Sequence, residues 1–430
     1  MNYKKLPLIN KIYSKIENRF LSLEKEISDF ASQNIDLRIK LKKINHEKIN
    51  VVFVCHRPSL WGSLKTVYEA MKNDSDFNVK IVTIPMKKQL PKLGFNHEIY
   101  ESEGAENFWT SEDVISGYNY ETKEFFDIKT LNPDYVCFQQ PYNVCRPECL
   151  KSHVVSKYAK VFYVHYASNF IGSGILEDSN PPDFIRNVSF YFNQNKTDYD
   201  LIKIYNQKLN NTFTKQYLTG FPRYDELEKY KNTESEVWNY TKTDKKFRVI
   251  WTPRWCTNEG NCSFFDYKDE FLSLCKENGK LDFVFRPHPQ AFINWEATGE
   301  LSKENAEKYK AEYEALENAK IDFSGEYFST FFSSDCLVTD ISSIVSDYFV
   351  TGKPIIYCHK KDCFNDFSRK LSSGFYWVKN WDELSKTLSM LEKGEDPLKE
   401  KREQLLKEEY AITSETAGHK IKEIIKESQQ

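Results

Sequence analysis

Residues Thr339–Tyr357 read TDISSIVSDYFVTGKPIIY. The stretch opens at the end of one apolar run, Cys336–Thr339, and closes within another, Pro354–Cys358. Between them Ser342–Thr351 has helical spacing, and Gly352-Lys353-Pro354 turns the chain into the second run. Strand, helix and strand in that order form a βαβ unit, whose strands pair in parallel because the connection crosses over. Asp340, Ser342 and Ser343 then stand at a strand's carboxyl end, the edge on which open α/β sheets bind ligands.

The alternation extends in both directions. Phe247–Thr252 and Phe283–Arg286 read as further strands, with helical stretches near Phe264–Cys275, Lys303–Ala319 and Trp381–Leu391 and a charged helix from about Pro397. Lys231–Lys245 is mostly polar and charged and reads as a linker. Upstream the pattern occurs again, with Val51–Cys55, Val79–Ile84, Tyr135–Gln139 and Val161–His165 as strands and a helix around Leu64–Met71. At 430 residues the chain exceeds what one core supports. The expectation is an α/β protein of two doubly wound, Rossmann-like domains facing a cleft, residues 49–230 and 231–430, the second ending in a C-terminal helix.

Residues 1–48 follow another rule. Ile9, Tyr13, Ile16, Phe20, Leu23, Ile27, Phe30, Asn34, Leu37, Leu41 and Ile44 recur at alternating spacings of four and three, the a/d seam of a coiled coil. Asn34 takes an a position, where one polar residue commonly fixes register in parallel dimers. The reading is an N-terminal coiled-coil helix that joins two copies through residues 9–44. Packing on the chain's own body stays open, and so does a helix lying on a membrane, because Lys and Arg outnumber Asp and Glu there.

The chain is 40% hydrophobic and 29% charged, with a formal net charge of -3. No domain-wide basic surplus points to nucleic acid as a partner. An aromatic share of 15% suits either a core or the lining of a polyol or sugar site. The ten cysteines include no Cys-x-x-Cys pair, and no histidine pair follows Cys145 and Cys149 at finger-like spacing. Reduced, mostly buried thiols are expected, with no metal site. The opening MNYKKLPLINKIYSKIENRF lacks the apolar core of a signal peptide. No apolar run approaches the roughly 20 residues that span a bilayer. A cytoplasmic location is expected, at most peripheral on the inner face of the membrane.

Polar chemistry gathers at the predicted strand ends of the second half. Thr252 leads into Pro253, Arg254 and Trp255, and Arg286 into Pro287, His288 and Pro289. Arg286 and Arg254 offer forks of donors suited to phosphate oxygens. His288, held between two prolines, could donate to a developing phosphate charge. Ser342 and Ser343 are placed to cap a helix start, which favours anions, and Asp347 one turn later could reach a ribose hydroxyl. Each group alone has a bland reading as a cap, a turn or a solvated face. Their convergence on one edge favours a phosphate-rich ligand.

Four segments in order, TGFPRYDEL (Thr219–Leu227), WTPRW (Trp251–Trp255), FRPHP (Phe285–Pro289) and Thr339–Tyr357, resemble the CDP-glycerol glycerophosphotransferase family. That family includes teichoic-acid and capsule polymerases, and the resemblance covers roughly the C-terminal half. It implies a GT-B fold with the donor on the C-terminal domain and the acceptor on the N-terminal one. By resemblance His288 matches a histidine needed for activity, Ser342 and Ser343 the pair at the donor phosphates, and Asp340 the acidic residue before them. The family's Trp-His-Gly stretch, whose histidine is the proposed base, has its nearest counterpart in Tyr163-Val164-His165-Tyr166. Cys55–Met71, CHRPSLWGSLKTVYEAM, resembles the opening of the capsule-type branch, which makes His56 a rival base.

The activity so implied moves glycerol phosphate or ribitol phosphate from a CDP-polyol to a hydroxyl of a surface polymer or its lipid-linked primer, releasing CMP. His165 or His56 would take the hydroxyl proton while His288, Arg286 and the two serines hold the diphosphate. No cofactor is called for beyond the CDP-glycerol or CDP-ribitol donor, and a divalent cation is compatible but not required. Two other classes stay open. One is a GT-B glycosyltransferase that attacks a nucleotide sugar at its anomeric carbon. The other is a non-catalytic coiled-coil assembly protein with a degenerate transferase body.

Overall fold

The computed structural model describes residues 6–87, 99–102, 104–109, 111–168, 180–241, 244, 246–410 and 414–428; of the side chains in 6–28, it describes those of Lys15, Arg19, Leu23 and Glu26. Two parallel sheets dominate it. The first runs, in spatial order, Lys215–Leu218, Phe190–Asn193, Lys160–Val164, Tyr135–Phe138, Ile49–Cys55, Phe77–Thr83 and Val114–Ser116. The second runs Ala319–Ile321, Leu281–Phe285, Phe247–Thr252, Cys336–Thr339, Ile355–Cys358 and Tyr376–Val378.

Inner strands such as Tyr135–Phe138 and Leu281–Phe285 are buried at every position, so their sequences read as continuous apolar runs. In each sheet the chain builds outward on one side of its first strand, then returns to build on the other. The strand order therefore reverses between Ile49–Cys55 and Tyr135–Phe138, and again between Phe247–Thr252 and Cys336–Thr339. These are the two switch points at which a doubly wound sheet opens a crevice. The arrangement is the expected two-domain GT-B architecture.

The aromatic surplus goes largely into the second core. Trp251 stacks on Phe264 at 5.7 Å and Phe264 on Trp295 at 4.0 Å, all three rings fully buried. The predicted helix Lys303–Ala319 stops at Glu314, and Ala319–Ile321 becomes an edge strand.

The charged helix expected from about Pro397 is two helices. Lys399–Glu409 stays on the second domain, with Leu405 in its core. Ala417–Glu427 crosses back to the first domain and buries Ile421 and Ile425 beside Val67, Tyr68 and Met71. The expected second domain, 231–430, therefore gives up its last helix. Gly418 permits the close approach, since a Cβ there would lie 2.6 Å from the Thr66 backbone. Asp225 fastens the junction by accepting from the Thr66 hydroxyl at 2.5 Å and from the N–H groups of Ala417 and Gly418 at 2.7 and 2.8 Å.

The N-terminal segment is one helix, Leu6–Ile44. It docks on the first domain through Ile35, Arg38, Ile39 and Lys42, which share one face by their spacing. Lys42 donates to Asp134 at 2.7 Å, and Arg38 to the carbonyl of Pro133 at 2.7 Å. The described heptad positions lie on another face. Phe30, Leu37, Leu41 and Ile44 are 68, 58, 51 and 72% exposed, so this part of the stripe does not pack on its own body. The side chains of Ile9, Tyr13, Ile16, Phe20 and Ile27 lie outside the described residues. Among those described, no helix is long and apolar enough to cross a membrane.

Candidate active site

At the second switch point a cleft of about 280 Å³ opens beyond the strand ends. Thr252, Arg286, His288, Ser342, Ser343 and Asp347 all line it, together with Asp322, Ser324 and Tyr327. Parallel pairing explains the meeting, because Thr252 and Thr339 are in register and the loops after them leave side by side.

Two expected phosphate ligands stand elsewhere. Asp340 is fully buried behind the cleft, where it accepts the N–H groups of Arg254 at 2.9 Å and Ser263 at 2.7 Å, and the Ser263 hydroxyl. Its oxygens hold two loops in place, and a carboxylate so used is no anion ligand. Burial pushes its carboxyl up to about 6 against these donors. Arg254 turns its guanidinium onto Glu259, with two contacts at 2.9 Å, outside the cleft wall.

Arg286 faces the cleft and is held in place. It donates to Asp322, to the Ser324 hydroxyl at 3.2 Å and to the Ser324 carbonyl, which ties the end of Leu281–Phe285 to the neighbouring loop. Such a pinned fork is preorganised for phosphate oxygens at small entropic cost. His288 stands at the cleft's edge, and its Nδ1 accepts the N–H of Gln290 at 3.1 Å. The neutral ring therefore carries its hydrogen on Nε2. Burial, and then the Arg254 charge, lower its pKa and keep it in that neutral form.

Ser343 makes no side-chain cap. Ser343 already has helical backbone angles, φ −62° and ψ −25°, whereas a side-chain cap needs an extended residue. Ser342 accepts weakly from the Ile344 N–H at 3.4 Å. Ser343 is an exposed residue of the cleft wall.

Asp347 also lines the cleft, but it serves as a hub. It accepts from the hydroxyls of Tyr224, at 2.8 Å, and Tyr327, with Arg223 Nε at 3.7 Å. Arg223 in turn donates to the Tyr327 hydroxyl at 2.6 Å. The ribose contact expected of Asp347 gives way to a link between Pro222–Tyr224 and the cleft. Sequence reasoning did not single out Arg223, Tyr224 or Tyr327. The first two lay within TGFPRYDEL, but nothing local signals a partner so distant in the chain.

The two candidate bases sit at carboxyl ends of the first sheet, outside this cleft's wall. His56 follows Ile49–Cys55 at the first switch point, and the Gln139 side chain accepts its N–H at 2.8 Å. Burial, with the charges of Arg146 and Arg57, pushes its pKa down to about 3. His165 follows Lys160–Val164 and is buried beside Tyr191 and Asp198. Among the described residues no group of three or more His, Cys, Asp or Glu side chains is arranged to hold a metal ion.

Solved structures share this architecture. The wall teichoic acid polymerase TagF aligns at TM-score 0.52 and 14% identity, covering 99% of this chain and 98% of that one. A TagF variant soaked with CDPG aligns at TM-score 0.55 and 14% identity, covering 95% and 98%. The UDP-GlcNAc 2-epimerase of Neisseria meningitidis, bound to UDP-GlcNAc, aligns at TM-score 0.53 and 12% identity, covering 89% and 99%. At such identities the likeness is one of fold. No curated protein matches the sequence. The profile described as CDP-glycerol:poly(glycerophosphate) glycerophosphotransferase matches residues 176–425, which include every segment of the cleft. This chain belongs to that family of transferases.

Proposed function

We propose that the protein transfers glycerol phosphate, or the ribitol analogue, from a CDP-polyol to a hydroxyl of a surface polymer or its lipid-linked primer, and releases CMP. The observation that carries this reading is the meeting of Arg286, His288, Ser342 and Ser343 in one cleft at the switch point of the second sheet. A pinned arginine fork, a neutral imidazole N–H and two hydroxyls suit a diphosphate, whose charge spreads over equatorial oxygens during transfer. Family membership and the TagF variant soaked with CDPG favour CDP-glycerol as that donor.

His165 is the proposed base. His56, pushed down to about 3, accepts a proton too weakly for work near neutral pH. For the N-terminal helix we propose a parallel dimer through the exposed heptad stripe, which would set two active sites near one acceptor at the inner membrane face.

Calorimetric titration with CDP-glycerol, CDP-ribitol and UDP-sugars tests the donor site. A CDP-polyol should bind preferentially, and Arg286→Lys should weaken it by about tenfold, because an ammonium cannot replace the fork. Preferential binding of a UDP-sugar would favour the glycosyltransferase reading instead.

A further inference from the structure

His165 has two buried neighbours at one of its ring nitrogens. Nε2 lies 2.9 Å from the Tyr191 hydroxyl and 2.9 Å from Asp198 Oδ2. His165, Tyr191 and Asp198 are 3, 0 and 3% exposed. Each partner is itself held. Asp198 is in the first turn of Lys196–Lys208, whose cap residue Asn195 accepts the Asp198 N–H at 2.8 Å. Tyr191, from the adjacent strand Phe190–Asn193, donates its hydroxyl hydrogen to Asn180 Oδ1.

These contacts decide the tautomer. The Tyr191 hydrogen is committed to Asn180, so its oxygen can only accept from His165, and a carboxylate also only accepts. A lone pair on Nε2 would face two acceptor oxygens in a buried setting, which is repulsive. The hydrogen is therefore on Nε2, and in the neutral ring Nδ1 carries the lone pair. We propose that Asp198 and Tyr191 are positioning residues for His165 and that its reacting nitrogen is Nδ1. This rests on the proposed function, in which His165 is the base.

The transfer step then balances as follows. The acceptor oxygen forms a bond to the phosphorus that bears the polyol, and its hydrogen passes to His165 Nδ1. The bond from that phosphorus to the bridging oxygen breaks, and CMP departs with the electron pair. The imidazolium so formed lies against Asp198, whose buried carboxylate stabilises the positive ring in the transition state. Asp198, 3% exposed, acts through His165.

A buried His–Asp contact can also be purely structural, so the test includes readouts that stability alone does not move. Asp198→Asn keeps the side chain's shape and removes its charge. It should lower kcat for CMP release about 10²–10⁴-fold while the donor KM stays within about threefold. The acidic limb of the kcat profile should move to lower pH, since the remaining amide favours the imidazolium less. Tyr191→Phe, which loses only the hydroxyl, should give a smaller loss. Nitrogen NMR of the wild-type imidazole should find the hydrogen of the neutral ring on Nε2. Unchanged kcat in a folded Asp198→Asn, or a hydrogen on Nδ1, would overturn the proposal. Wild-type protein that releases no CMP from any CDP-polyol would instead overturn the proposed function. The tautomer measurement needs no turnover and would still judge the positioning.

Discussion

The hydroxyl of Tyr224 donates to Asp347 at 2.8 Å, joining the segment between the two sheets to the wall of the cleft at the second switch point. Both residues are buried, and the Tyr327 hydroxyl reaches the same carboxylate. Cleft and interdomain segment are thus one hydrogen-bonded unit. Tyr224→Phe removes one donor from a buried charge and should cost about 1–3 kcal/mol in urea denaturation. It should also raise the donor KM, because Asp347 borders Ser343 on the cleft wall. An unchanged midpoint and KM would show that the link is incidental.

Arg254 acts on His288 through space. Its charge is the second cause, after burial, of the lowered His288 pKa. Taking away a positive charge favours the protonated ring, so in Arg254→Ala the pKa of His288 should rise. An NMR titration of the ring reads this directly, and a fall or no change would contradict it.

Asp340 gives a pH signature of stability. Its folded pKa of about 6 lies above the ordinary aspartate value of 3.8, so the folded state binds this proton more tightly than the unfolded state does. The resulting stability is present below about pH 4 and is lost as pH rises through about 6, on the order of 3 kcal/mol in all. Asp340→Asn should lack this slope, because an amide does not titrate while its oxygen can still accept the N–H groups of Arg254 and Ser263. Parallel slopes for the two proteins between pH 4.5 and 7 would refute the assignment.

Which residues meet in the cleft was largely legible in the sequence, for a definite reason. Parallel strands carry their functional groups where an apolar run ends, so Thr252, Arg286, His288, Ser342 and Ser343 could be read one strand at a time. Which neighbours would claim a side chain could not be read. Asp340 and Arg254 stand in the right motifs, yet the Ser263 and Glu259 that engage them belong to the loop after Arg254. Short strands were also missed. Lys215–Leu218 lies at a sheet edge and is only partly buried, so it has no apolar run to announce it. The last helix packs on the first domain rather than the expected second, because an amphipathic face does not say which core receives Ile421 and Ile425.

The N-terminal helix divides into a docked end and a part before it. Ile35, Ile39 and Lys42 belong to the first domain, so a truncation that tests association must stop short of them. Deleting residues 1–30 removes most of the heptad stripe and spares the docked turns. Light scattering should show a dimer become a monomer, whereas an unchanged mass would remove the stripe from the assembly.

The reaction itself is tested most directly by the nucleotide that leaves. Purified protein should release CMP from CDP-glycerol or CDP-ribitol in the presence of a hydroxyl acceptor. His288→Ala should slow that release about 10²–10³-fold, the usual loss when one donor to a transition-state charge is removed. Release of a nucleoside diphosphate from a sugar donor, or full CMP release in His288→Ala, would contradict the account.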